Sequence, residues 1–478
     1  MNAPVTLDPR VGKTVEASFG LLREASRGEI DASASVRKDR LGRLLALLDE
    51  NIETFADAIS ADFGHRSAHE TRFAEALVVE AGIKLALRRI DHWMSPRHIK
   101  TAWHFWPGSN RLISQPLGVV GIISPWNYPL QLTLAPLLGA LAAGNRAMIK
   151  PSEFVPHFSS LLASTVNNRF DASEVAVVEG GPAVSQAFAA LPFDHLLFTG
   201  STRVGRLVAE VAARNLTPLT LELGGKSPAI IDRSADIAAA AHRIAFGKLV
   251  NAGQTCIAPD YVLCPRNAQD AFVEHYSSSV MRLYGSDPRN PDYTSIVTQA
   301  HYDRLEGLLS DATLKGGRIC MRAEHLSDWK ALRKFPPCLV LSTTDEMLVR
   351  QEEIFGPILP VIPYDQTDEA IAHVNNRDRP LALYWFGTAP EARDRILRET
   401  ISGGVTINDC LLHIAQEHQP FGGVGASGMG AYHGEWGFHT FSKEKPVFYR
   451  PRVSATALLQ PPYGWTFDRV FALLRWLI

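Results

Sequence analysis

A chain of 478 residues with 46% hydrophobic content can bury large cores and has room for two or three domains. Its net charge of -2 argues against a general nucleic-acid binder, for which a basic excess is expected. The five cysteines (256, 264, 320, 338 and 410) are odd in number and free of CxxC spacing, which fits free thiols in a reducing compartment and neither a disulfide framework nor a zinc site.

Residues 1–10 lack a basic n-region and an apolar h-region, so no signal peptide is expected. With no run of about 18 uninterrupted apolar residues, no spanning helix is expected either, and the chain reads as soluble and cytoplasmic. Leu41, Leu44, Leu45, Leu48, Ile52, Phe55 and Ile59 repeat at helical spacing and predict one or two covering helices. Between Met94 and Gln115, Trp103, Phe105 and Trp106 precede Pro107-Gly-Ser-Asn110, which predicts a β-hairpin with a Pro-Gly turn. Composition leaves open whether that hairpin packs on its own domain or against another subunit.

From Pro116 to Asp232 short apolar strands (119–124, 146–150, 175–179, 195–199) alternate with segments long enough for crossover helices (131–144, 156–169, 182–191, 202–214). This βαβ alternation predicts an open, doubly wound parallel sheet of Rossmann-like type, with ligands at the carboxyl ends of the strands. A second α/β region runs from about Gly224 to His413, with helices expected over 238–250, 268–284 and 301–315. The final segment, after Pro461-Pro-Tyr-Gly464, carries Phe467, Val470, Phe471, Leu474, Leu477 and Ile478 on one helical stripe, with Asp468, Arg469 and Arg475 opposite. It is too short and too polar to span a bilayer, so it either docks on protein, the favoured reading, or lies in a membrane interface.

Two chemistry-bearing groups sit among small residues in Glu222-Leu-Gly-Gly-Lys-Ser-Pro228 and Asn251-Ala-Gly-Gln-Thr-Cys-Ile257. A thiolate can attack an electrophilic carbon while a carboxylate moves protons or activates water. Upstream, Gly200-Ser-Thr-Arg-Val-Gly205 follows a strand and opens a helix, a setting whose N–H groups favour phosphate. A Walker A reading fails, because Gly205 is followed by Arg206-Leu207 and position 220, upstream of Gly225-Lys226-Ser227, is Thr.

These blocks resemble the aldehyde dehydrogenase superfamily, as do Pro125-Trp-Asn-Tyr-Pro129, Lys150-Pro-Ser-Glu153, Phe198-Thr-Gly-Ser201, Glu353-Ile-Phe-Gly-Pro357 and Pro420-Phe-Gly-Gly-Val-Gly-Ala-Ser-Gly428. Asp62-Phe-Gly-His-Arg-Ser67, Cys256-Ile-Ala-Pro-Asp-Tyr261 and Gly430-Ala-Tyr-His-Gly434 are similar to the class 3 branch, and the last, running into Thr440-Phe-Ser-Lys-Glu-Lys-Pro446, to its members acting on coniferyl-type aldehydes. The resemblance implies an NAD(P)-binding domain (1–95 and 116–223), a catalytic domain (224–413), a bridging, oligomerisation element (96–115 and 414–450) and a separate C-terminal helix (461–478). It implies Cys256 as nucleophile, Glu222 as hydrolytic base and Asn127 as oxyanion donor, with Asn408 supporting the site and His413 and His433 as lining or supporting groups.

For the cofactor it implies Trp126, Lys150 and Glu153, with the last two on the adenosine ribose, Gly200, Ser201 and Gly205 on the pyrophosphate side, and Glu353 and Phe355 on the nicotinamide ribose. A ribose-facing carboxylate repels the extra phosphate of NADP, so NAD is expected, with NADP also admitted. The implied substrate is a medium or large hydrophobic aldehyde, of aromatic, coniferyl type, near Tyr128, the 384–386 aromatics and the 411–418 loop. A homodimer is expected, with no metal and no nucleic acid. The competing readings are a catalytically inactive binding or structural relative, and a CoA-acylating relative.

Overall fold

In the computed structural model, described over residues 9–320, 326–452 and 455–477, the first apolar repeat forms a single helix, Ala34–Phe63. Ser33 caps its start by accepting from the Val36 N–H, and Gly64 ends it in the left-handed conformation at φ 80°. Leu41, Leu44, Leu47, Leu48 and Phe55 are fully buried, with Leu45 partly so, and the helix packs against Leu77–Met94, Gln131–Ala142 and Pro156–Asn167. The expectations about a leader at residues 1–8, and about Ile478 on the tail stripe, lie outside the described residues.

The described residues form three sheets. The first runs Val175–Val177, Arg146–Lys150, Val119–Ile123, His195–Gly200 and Leu219–Leu223, all parallel, an order of 3-2-1-4-5. This is the doubly wound arrangement that the strand-helix alternation predicts, and its direction reverses between Val119–Ile123 and His195–Gly200. A short strand, Gly428–Met429, adds antiparallel to Leu219–Leu223 at the edge. These two residues were expected in the bridging element; pairing to Leu221 and Glu222 draws them into the first sheet instead.

The second sheet has seven strands, in the order Arg318–Cys320, Cys338–Leu341, Ile358–Tyr364, Tyr261–Pro265, Pro228–Ile231, Ala382–Phe386 and Gly404–Ile407. All its pairings are parallel except that of the edge strand Arg318–Cys320. The strands read as continuous apolar runs because helices cover both faces.

The third sheet joins Arg97–Ile99, Ser109–Pro116 and Ser442–Tyr449, the last two antiparallel in register from Ser442↔Pro116 to Tyr449↔Ser109. The hairpin is present, but its connection is longer than a Pro-Gly turn. Residues 100–108 include a 3-10 turn, Trp103–Phe105, closed by Trp106 Nε1 donating to the Thr101 carbonyl at 3.1 Å and the Gly108 N–H to Phe105 at 2.8 Å. Trp103, Phe105 and Trp106 stay exposed on it.

The tail forms the helix Trp465–Leu477 with no buried residue, its nearest element being Ala455–Leu459. Phe467, Val470 and Leu474 of its apolar stripe are only partly buried there. Among the described residues no helix is long and apolar enough to cross a membrane.

Candidate active site

The loop Ser124–Tyr128 leaves the carboxyl end of Val119–Ile123, at the point where the first sheet reverses direction. The turn carrying Cys256 arrives from the second α/β region, after the helix Ile237–Leu249 and the short turn Val250–Gly253. The two meet directly: Asn127 Nδ2 donates to the Gln254 carbonyl at 3.1 Å, and Asn251 Nδ2 donates to the Asn127 carbonyl at 2.9 Å. Asn127 is thereby fixed beside the Cys256 turn.

That turn is strained. Asn251, Ala252 and Gly253 have φ of 53°, 51° and 76°, three successive residues in the left-handed region. Non-glycine residues there cost on the order of 1–3 kcal/mol each and persist only where their surroundings over-determine them. Gly253 has a second constraint, since a Cβ on it would lie 2.5 Å from the Gly356 carbonyl oxygen. Gln254, fully buried, donates to the Asn251 and Ser295 carbonyls and accepts from the Val297 N–H, which locks the turn.

Cys256 is partly exposed at the end of this turn. Burial of its sulfur, then the nearby Glu353 and Glu222 carboxyls, push the thiol up to about 12, against the backbone N–H groups of Cys256 and Ile257, which favour the thiolate. The resting group is therefore the thiol. Alkylation of Cys256 by iodoacetamide in the cofactor-free protein is expected to rise about tenfold per pH unit from 7 through 9, read by peptide mass spectrometry. A plateau below pH 9 would contradict the raised value.

Glu222 lies near the end of Leu219–Leu223, paired to Thr199 on one side and Gly428 on the other. The residue is 2% exposed, neither carboxyl oxygen has a hydrogen-bond partner among the described residues, and burial raises its pKa well above the usual carboxylate range. A buried carboxyl with no partner is costly unless it is protonated or used.

Glu353 completes the charge group. Its carboxylate lies against Gly224, where a Cβ would sit 2.0 Å from Oε2, and accepts from the Gly225 N–H. Burial, with Asp260 nearby, raises it to about 8. Lys226 donates to the Val349 and Glu352 carbonyls at 2.9 and 2.8 Å and Arg304 donates to the Glu353 carbonyl at 3.2 Å, so the segment is held from both sides. Phe355, at φ 51°, packs edge-on to Trp126 with centroids 5.5 Å apart.

The remaining expected cofactor residues gather on the first sheet. Lys150, buried at the end of its strand, donates to Glu153 Oε2 at 3.1 Å and to the Pro151 carbonyl at 2.8 Å, and burial lowers its pKa. Ser201 caps the helix Thr202–Ala213, Gly200 precedes it, and Gly205 on its first turn packs against Leu223. Two features accommodate a dinucleotide: the exposed helix start at Ser201, and the buried Glu353 Oε1, which has no partner. Among the described residues no group of His, Cys, Asp and Glu side chains could hold a metal ion.

Other expectations are placed differently. Tyr128 is buried, its hydroxyl 2.7 Å from Thr255 Oγ1 and its ring 4.9 Å from the Arg66 guanidinium, so it packs against the turn that carries Cys256. Tyr384, Trp385 and Phe386 occupy an internal strand and are buried in cores on its two faces, with Tyr384 donating to the Ile257 carbonyl. At 3% exposure or less they present no open aromatic surface. Asn408, at φ 59°, exchanges side-chain hydrogen bonds with the Gly387 backbone. His413 and His433 are depressed to about 4 by burial and stay neutral. Sequence reasoning missed Arg66, Glu70 and Glu75, a buried charge cluster under the two loops. Only the Asp62–Ser67 block pointed near it.

A doubly wound nucleotide-binding sheet, facing a strained thiol turn from a second α/β sheet, defines a dinucleotide-dependent oxidoreductase fold. Residues 13–447 match the model of the aldehyde dehydrogenase family, and the chain belongs to that family, as an aldehyde-oxidising oxidoreductase using a nicotinamide cofactor. It is 48% identical over 474 residues to the "Probable coniferyl aldehyde dehydrogenase" of Caulobacter vibrioides, covering 97% of each chain. Its fold matches the substrate-bound AldH of Staphylococcus aureus with a TM-score of 0.91 at 38% identity, over 96% of this chain and 99% of that one. It also matches a variant of aldehyde dehydrogenase C from Pseudomonas syringae in complex with NAD+ and octanal, at TM-score 0.82 and 28% identity, over 91% and 89% of the two chains.

Proposed function

We propose that the enzyme oxidises a hydrophobic, coniferyl-type aldehyde to its carboxylic acid through covalent attachment to Cys256. The observation that carries this reading is the meeting of Asn127 with the Cys256 turn at the Gln254 carbonyl, beside the unpartnered carboxyl of Glu222. Cys256, as thiolate, adds to the aldehyde carbon to give a thiohemiacetal. Asn127 has a second N–H on Nδ2 beyond the one given to Gln254, and with the Cys256 backbone N–H it donates to the developing oxyanion; one such donor contributes about 2.7–4 kcal/mol. When bound, the nicotinamide cofactor supplies the hydride acceptor. Glu222, once ionised, takes a proton from the water that hydrolyses the Cys256 thioester.

Lys150 and Glu153 would hold the adenosine ribose, Gly200, Ser201 and Gly205 the pyrophosphate side, and Glu353 and Phe355 the nicotinamide ribose, with Trp126 packed on Phe355. The unpartnered Glu353 Oε1 supports the last of these. Gly224→Ala tests it, because the added Cβ displaces the Glu353 carboxylate. NAD affinity is expected to fall about tenfold, roughly 1.4 kcal/mol, by titration calorimetry. Unchanged affinity would remove Glu353 from the cofactor site. NAD is proposed over NADP because Glu153 stands beside Lys150.

The division of labour is 1–95 and 116–223 for cofactor, 224–413 for chemistry, and 96–115 with 414–450, apart from the edge strand Gly428–Met429, for bridging to a second copy in a homodimer. The coniferyl-type substrate rests on the 48% identical relative from Caulobacter vibrioides. A panel of aliphatic and cinnamyl aldehydes, at both cofactors and with and without CoA, tests the whole. The expected result is the highest kcat/KM on cinnamyl aldehydes with NAD, giving free acid irrespective of CoA. The tail helix is assigned to a neighbouring subunit: truncation after Pro461 is expected to weaken self-association in sedimentation velocity without loss of liposome binding. Liposome binding by the full-length protein alone, with unchanged self-association, would assign it to a membrane surface.

A further inference from the structure

Beneath the two loops lies a charge cluster whose burial needs a reason. The Arg66 and Glu75 side chains are fully buried and Glu70 is 7% exposed. Buried ion clusters are poor stabilising devices, since desolvation consumes most of their Coulomb attraction. Here every member has a further contact on one of the two loops or directly after it. Arg66 Nη1 lies 3.0 Å from Glu75 Oε1 and donates to the Asn127 carbonyl at 3.1 Å. Glu75 Oε2 accepts from the Leu130 and Gln131 N–H groups at 2.8 and 3.1 Å, fixing the chain just after Asn127. Glu70 accepts from the Asn251 N–H at 3.1 and 3.2 Å and from Thr294 Oγ1 at 2.8 Å, at the first left-handed residue of the nucleophile turn.

The local backbone is shaped for this. Glu70 and Glu75 are five residues apart, which on a regular helix places them about 140° apart. The segment Arg72–Ala76 is a π-helical turn, whose wider winding brings both carboxylates toward one side. The guanidinium is then sandwiched at 4.9 Å from Tyr128 and 5.4 Å from Phe63.

We propose that Arg66 is a positioning residue that sets the Asn127 side-chain amide against the Cys256 turn, with Glu75 and Glu70 anchoring the two loops to it. The Asn127 carbonyl takes donors from Arg66 and from Asn251, so its peptide plane is fixed. A fixed peptide plane sets where the Asn127 side chain starts, and the Gln254 carbonyl at 3.1 Å then holds Nδ2. This rests on the reading of Asn127 as oxyanion donor and Cys256 as nucleophile.

The test uses two reactions of Cys256 in the intact enzyme. Acylation by p-nitrophenyl acetate develops an oxyanion as sulfur adds to the carbonyl and p-nitrophenolate leaves; alkylation by iodoacetamide displaces iodide and develops none. Arg66→Lys, which keeps the charge and loses the planar fork, is expected to slow acylation and aldehyde kcat by 10- to 100-fold, with aldehyde KM and alkylation within threefold. The double variant with Asn127→Ala is expected to be no slower in acylation than Asn127→Ala alone. Equal loss in both reactions, multiplicative loss in the double variant, or no loss in Arg66→Lys would overturn the proposal. If Arg66→Lys does not fold, Glu75→Gln, which loosens the same guanidinium at constant volume, must show the same split between the two reactions. Full acylation by Asn127→Ala would show instead that the oxyanion reading is wrong, and the role of Arg66 falls with it.

Discussion

Cys256→Ser is expected to lower aldehyde turnover by at least about 10³-fold while NAD affinity stays within twofold. The thiol is already hard to ionise at rest, pushed up to about 12 by its burial and by Glu353 and Glu222. A serine hydroxyl in the same place is far harder to ionise and is the weaker nucleophile at neutral pH. The substitution is close to isosteric and removes no hydrogen bond that holds the turn, because the turn is locked by Asn251, Gln254 and Asn127. The cofactor contacts proposed for Lys150, Glu153 and Glu353 are likewise untouched. Steady-state rates and NAD calorimetry on the same preparation check both halves. Cys320→Ser, at the other partly exposed thiol, is the control and should keep full activity. More than a tenth of wild-type turnover in Cys256→Ser would end the covalent mechanism.

How much of this was legible in the sequence depends on how local the cause was. The doubly wound sheet was, because each parallel strand is a short apolar run and each crossover is long enough for a helix. The motifs singled out Cys256, Glu222 and Asn127, and the structure brings Asn127 onto the Cys256 turn. The sheet position of Gly428–Met429 was not, since a two-residue edge pairing to Leu221 and Glu222 leaves no periodic trace. The 384–386 aromatics misled for a related reason: a Tyr-Trp-Phe run looks like a pocket wall, and only the pairing on both sides shows it to be an inner strand. Arg66, Glu70 and Glu75 were the least visible. Charged residues five apart look solvated until a π-turn rotates them inward, and helical spacing in sequence carries no sign of that turn. The Pro107-Gly108 dipeptide gave a hairpin but not its length, because the Trp106 indole bond that closes the connection is a side-chain contact.

For Glu222→Gln, a burst of about one NADH per active site is expected, followed by turnover slowed by 10²-fold or more. Attack by Cys256 and hydride loss do not need the Glu222 carboxylate if the thiol proton reaches solvent; hydrolysis of the thioester does need a base. The environment of Glu222 makes the two stages separable by pH. Its carboxyl is buried with no partner on either oxygen among the described residues, and that burial raises its pKa well above the usual carboxylate range. The ionised, base-competent form accumulates only as pH rises through that raised value. Wild-type deacylation is therefore expected to climb with pH until Glu222 has titrated and then level off. In Glu222→Gln the levelling disappears, leaving only the slow first-order rise of hydroxide attack. Rapid-quench measurement of NADH and acid formation across pH 6–9 resolves the two stages. Loss of the burst itself would assign Glu222 to deprotonation of Cys256 as well. An unaltered pH profile for deacylation would take the hydrolytic base away from Glu222, and Glu353, raised to about 8 beside the same thiol, would be the next carboxylate to test.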